Sequence, residues 1–169
     1  MTPFLPVLMY HSVADDPPAA TARLSVGAAA FADQLSVLDE LGCTPLTFGE
    51  AVTTVTDGRP LPARPVVITF DDGYADLHDT ALPLLRAHGA TATVFVTTGW
   101  VADAGEQAAG RPLDRTLSWQ QVRALAAAGV EIGAHSHSHA QLDQLSAGAL
   151  REELARSRAL LREGTAEPI

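Results

Sequence analysis

The stretch Pro65-Val66-Val67-Ile68-Thr69-Phe70-Asp71-Asp72-Gly73 decides how this chain is read. Its first six residues are apolar or β-branched, the composition of a strand buried on both faces. It then stops abruptly at two carboxylates and a glycine, which is turn chemistry. Working outward, the same kind of run recurs at Pro6–Tyr10 (PVLMY), Thr91–Thr97 (TATVFVT) and Val130–His135 (VEIGAH). Helical spacing fills the intervals. Phe31, Leu35 and Leu38 share one face before Gly42, and a second unit runs from Thr44 to Thr56. A helix is expected to follow Asp71-Asp72-Gly73 and run to about His88, closed by Gly89, with Pro83 near its first turn, where a missing N–H costs little. Ser118 and Gln121 have capping-box spacing ahead of Val122 and Leu125, and Gly129 ends that helix. Ser146 is placed to cap a last helix carrying Leu150, Leu154 and Leu161.

This is about five strand–helix units, the signature of an α/β fold with a parallel sheet covered by helices. Periodicity alone leaves an open doubly wound sheet and a closed barrel both available. In either architecture, polar residues at the C-terminal ends of the strands mark the site.

Bulk properties narrow the function. The 169 residues fit one domain, and the formal net charge is −9 with all 11 basic residues arginine. No basic stripe exists, so nucleic acid is excluded as a partner class, and a polyanion would be repelled. A neutral substrate, or one whose product is a cation, suits this field. Cys43 is the only cysteine, so neither an internal disulfide nor a thiolate metal site is available. The N-terminus has no basic region and is interrupted by Pro3 and Pro6, unlike a secretion signal. No apolar run approaches the ~20 residues of a membrane span. The expectation is a cytoplasmic chain, or a secreted one if a signal precedes it.

Three strands end in chemically capable residues: Tyr10-His11, Asp71-Asp72 and His135-Ser136-His137-Ser138-His139. If the strands are parallel, these clusters converge on one rim. Two imidazoles four residues apart, with a carboxylate from another strand end, form an N,N,O set that leaves metal positions open for water and substrate. Adjacent carboxylates raise each other's pKa, and a divalent cation removes that conflict. One aspartate can bind metal while the other takes a proton from water. His135 with His137 is the rival ligand pair. Ser136 is a candidate for orienting an imidazole. His78 and His88 read as solvated helix residues, Trp100 and Trp119 as core or helix-entry packing.

The segments PVLMYHSV, VVITFDDGY and EIGAHSHSH, in that order, resemble the polysaccharide deacetylase family (NodB-homology, carbohydrate esterase 4). TFDDGY (Thr69–Tyr74) is similar to the family's first motif and His135-Ser136-x-x-His139 to its second. VFVTTGWV and LSWQQVRALAAAGVEIG resemble its scaffold, so the likeness covers nearly the whole chain. It implies a single domain over 1–169 folded as a partial, distorted (β/α) barrel. It implies Asp71 as general base, with Asp72, His135 and His139 holding one divalent metal, zinc foremost and cobalt, nickel or iron compatible. His11 and Tyr74 become candidates for lining the substrate pocket. The implied reaction is removal of acetyl groups, N-acetyl from an amino-sugar glycan foremost, by water activated at the metal.

The family's three later motifs, including a Leu-x-His that supplies the general acid, are not recognisable after His139. The expectation is therefore an incomplete barrel with an exposed sheet edge, able to bind metal but slow in turnover. A metal- or glycan-binding fragment is the alternative. A haloacid-dehalogenase-type phosphatase is a remote one, since it wants D-x-D spacing and gives no use for His135 and His139.

Overall fold

The computed structural model describes residues 4–165. Strand β1 (Val7–Tyr10) leads into two short strands, β2 (Ser12–Val13) and β3 (Ser25–Val26), which pair in parallel with each other. Helix α1 (Ala28–Glu40), strand β4 (Thr44–Leu46), helix α2 (Phe48–Thr56) and strand β5 (Pro65–Phe70) follow. A π-helical turn at Leu77–Ala81 runs into α3 (Leu82–Ala87), then come β6 (Thr93–Val96), α4 (Trp119–Ala127), β7 (Glu131–Ala134) and α5 (Ala147–Thr165).

The five longer strands make one parallel sheet, as the alternating pattern predicts. β5 is its centre. One edge of β5 carries β1, in the register Val7–Tyr10 against Val67–Phe70. Its other edge is shared, with β4 along Pro65–Val67 and β6 along Thr69–Phe70. β6 then pairs with β7. Among the described residues β1 and β7 each pair along one edge only, so the sheet is not closed. Val7 and Met9, on one face of β1, are 47% and 63% exposed.

The main core lies between the sheet and its helices. Ile68, Phe70, Val94, Val96 and Ile132 pack on Phe31, Leu35, Leu77, Leu85, Val122 and Leu125. Phe70, Tyr10 and Phe31 form an aromatic cluster with ring centroids 5.1–5.8 Å apart, a geometry favourable beyond area burial. The capping box at Ser118/Gln121 is present, and a second one, Thr47/Glu50, starts α2. Ser146 caps α5 through its hydroxyl, 3.3 Å from the Ala149 amide. The helix after Gly73 departs from expectation by beginning as a π-turn, with the Leu82 amide reaching back to the Leu77 carbonyl. Pro83, which has no N–H to offer, follows at once. His88 is not simply solvated, for its Nδ1 lies 2.5 Å from Asp39 of α1.

At the N-terminal end of the strands, Glu131 ties β7 to α2. Its carboxylate accepts from the Gly49 amide at 3.0 Å and from the Thr93 hydroxyl at 2.7 Å, a negative charge where the helix dipole favours one. None of the described helices is long and apolar enough to cross a membrane.

Candidate metal centre

Because the strands are parallel, all three chemical clusters reach the same rim. His11 leaves β1, Asp71 and Asp72 leave β5, and His135–His139 leave β7. The Asp71 amide donates to the Tyr10 carbonyl at 2.9 Å, which carries the β1–β5 ladder up to the carboxylates. Asp72 (φ 74°) and Gly73 (φ 85°) then both take the left-handed conformation. Glycine enters it freely and aspartate more readily than most residues, so the Asp-Gly order fits this turn.

Asp72, His135 and His139 each offer one ligand atom, and these atoms lie within 4.8 Å of one another. Asp72 Oδ1 is 3.4 Å from His135 Nε2 and 3.1 Å from His139 Nε2. Ligands ~2.0–2.1 Å from a tetrahedral metal stand about 3.3 Å apart, so the spacing fits. Asp72 is 5% exposed, and its buried Oδ1 faces the two imidazole nitrogens without a well-formed hydrogen bond. An oxygen so placed is costly unless a cation completes it. The donor set of two imidazoles and one carboxylate suits zinc or a neighbouring transition metal.

The electrostatics separate the two aspartates. Burial pushes the Asp72 carboxyl up, but the His135 and His139 imidazoles, with His11 beyond them, hold it below the usual carboxylate range. Burial also raises Asp71, and the same imidazoles only partly offset it, so this carboxyl sits above its ordinary value. Asp72 is thus the stronger anion and Asp71 the better proton acceptor. The Asp72 carboxylate raises the pKa of His135 against the effect of burial, with Asp71 adding to it.

The structure brings His11 to this rim, near enough to both aspartates to shift them. Tyr74 is 1% exposed, so its side chain packs behind Asp72 instead of opening to the cleft. His137 is buried away from the triad, with Nδ1 3.0 Å from the Thr98 hydroxyl. It is not in the group of converging ligand atoms, so the rival pair of His135 with His137 is not the one assembled. Ser136 Oγ accepts from the His139 amide at 3.2 Å, which braces the loop. Trp100 is buried as expected, but in a more consequential place. Its indole stacks on the His139 ring, with centroids 4.7 Å apart and planes 30° from parallel. Behind it Gly99 passes so close that an added Cβ would stand 2.6 Å from the His137 carbonyl. No local sequence signal marks Trp100 or Thr98 as supports of this loop.

An open α/β sheet whose rim gathers two adjacent carboxylates and a pair of imidazoles at ligand spacing forms a candidate metal centre. Residues 58–169 match the family described as polysaccharide deacetylase, and the chain belongs to that family. It is 30% identical over 158 residues to YxkH of Bacillus subtilis (strain 168), covering 92% of this chain and 50% of that protein. It is 32% identical over 151 residues to the poly-β-1,6-N-acetyl-D-glucosamine N-deacetylase of Escherichia coli (strain K12), covering 85% of this chain and 22% of that one. The chain thus spans half or less of the length of these curated relatives. Among solved structures, the Streptococcus pyogenes deacetylase PplD in complex with acetate superposes with a TM-score of 0.83 at 25% identity. That match covers 96% of this chain and 70% of PplD.

Proposed function

We propose that the chain is a metal-dependent carbohydrate deacetylase that removes N-acetyl groups from an amino-sugar glycan. The observation that carries this reading is the buried Asp72 Oδ1 set between His135 Nε2 and His139 Nε2, with Asp71 beside it. A divalent metal held by Asp72, His135 and His139, zinc foremost, would supply Lewis-acid polarisation of the acetyl carbonyl and lower the pKa of water there. Asp71, raised by burial, accepts the proton of the attacking water. His11 leaves β1 beside both carboxylates, where it can line the substrate pocket. A net charge of −9 suits a neutral glycan whose deacetylated product is cationic. Poly-N-acetylglucosamine, the substrate in the name of the Escherichia coli relative, fits that description.

The test is acetate release from N-acetylglucosamine oligomers by the metal-loaded chain. Asp71→Asn is expected to lower the rate by ~10²–10⁴-fold while leaving metal content intact. Release that is unchanged by Asp71→Asn, or by removal of the metal with a chelator, would sink the reading.

A further inference from the structure

His135 and His139 stand at the two ends of a loop whose backbone is unusual. Ser136 (φ 61°) and His139 (φ 59°) both lie in the left-handed region, which residues with a Cβ avoid unless the surroundings impose it. The surroundings here are two clamps of opposite polarity. On one flank, the Thr97–Gly99 turn donates to the loop's carbonyls: Thr97 Oγ1 to His135 O at 3.1 Å, the Thr98 amide to Ser136 O at 3.3 Å and the Gly99 amide to His137 O at 2.7 Å. On the other flank, one side chain collects the donors. Glu153 of α5 accepts from the His137 amide at 3.0 Å, the Ser138 amide at 2.9 Å and the Ser138 hydroxyl at 2.7 Å.

An ionised carboxylate is well suited to this role. It has acceptor capacity on both oxygens and no donor to conflict with three converging N–H and O–H groups. Burial resists the charge on Glu153, but these three bonds, with His137, outweigh it and hold its pKa below the usual value. Thr98 in turn fixes the His137 ring, so the middle of the loop is anchored from both sides.

We propose that Glu153 is a positioning residue for the metal centre, setting the distance and orientation of His135 and His139 through the backbone between them. This rests on the reading of Asp72, His135 and His139 as metal ligands. Glu153 touches neither metal nor substrate; it acts through the strained loop.

The experiment is titration of the 169-residue chain with Co²⁺, read as affinity and as the visible absorption band, at a temperature where circular dichroism shows every variant folded. Glu153→Gln keeps the size but removes the charge, leaving one neutral oxygen for the two amides and an NH₂ that makes the Ser138 hydroxyl turn from donor to acceptor. It is expected to weaken Co²⁺ binding by ~10–100-fold, the range for partners of metal ligands, and to shift the band. Ser138→Ala, which removes one of the three bonds, should weaken binding less and add little in the Glu153→Gln background. Wild-type affinity and band position in Glu153→Gln, even with a lowered melting temperature, would reduce Glu153 to a scaffold residue and overturn the proposal. Failure of the underlying reading looks different: the unsubstituted chain then takes up no more Co²⁺ than His135→Ala/His139→Ala.

Discussion

The His135→Ala/His139→Ala double variant is expected to take up no divalent metal under conditions where the unsubstituted chain binds it near-stoichiometrically. Two of the three ligand atoms are removed, and Asp72 alone offers a single carboxylate oxygen. Apparent free energies for sites that engage a full ligand set are about 10–16 kcal/mol in small zinc domains, so losing most of the set costs many orders of magnitude. The change also acts without metal. The imidazoles hold the Asp72 pKa below its ordinary value, which stabilises the fold above the unfolded-state pKa and fades as pH falls through the folded one. Without them, a carboxylate that is 5% exposed is left with weaker compensation. Elemental analysis reads the first effect. The second measurement is the rise in melting temperature on adding zinc, present in the parent chain and absent in the variant. Retention of stoichiometric metal by the variant would remove these histidines from the ligand set.

Phe70→Ala is expected to cost ~3–5 kcal/mol of folding stability, the range for truncating a buried aromatic ring. Phe70 is fully buried and meets Tyr10 and Phe31 at centroid distances of 5.5 and 5.8 Å. Its strand is held on both edges, so the backbone cannot collapse into the space left behind. Against a typical total of about 5–15 kcal/mol, that loss is a large fraction. Urea titration, with the midpoint compared at equal slope, measures it. A loss below ~1 kcal/mol would mean that the sheet and α1 are packed far more loosely than these distances imply.

The sheet was legible in the sequence because its strands are short, apolar and end in polar clusters, as at Phe70-Asp71 and Ala134-His135. The convergence of His11, the aspartates and His135–His139 followed from parallel direction alone. The Ser118/Gln121 capping box was legible as well. Thr47/Glu50 has the same spacing and so carried a signal that the reading of Thr44–Thr56 as one undivided unit passed over. β2 and β3 have two residues each, too few to show any period. The sharing of one β5 edge by β4 and β6 is a tertiary choice, to which alternation is blind. The supports of the histidine loop were hidden for the same reason. Glu153 lies 15 residues from Ser138 on a helix with an ordinary charged face, and Trp100 looks like any core tryptophan. Their roles exist only once α5 and the Thr97–Gly99 turn are brought against the loop.

The assembly of one rim from three distant stretches of chain has a kinetic side. The strands ending at Phe70 and Ala134, with β6 between them, must be docked before the triad exists, so a sheet not yet zipped that far has no site for an ion to grip. Parallel pairing between remote segments is slow to nucleate, because loop closure precedes any reward. An ion that recognises only the finished rim stabilises the native state but not the barrier state before it. Bound metal should therefore leave the refolding rate nearly unchanged and slow unfolding instead, a division that stopped-flow measurement of both limbs would display.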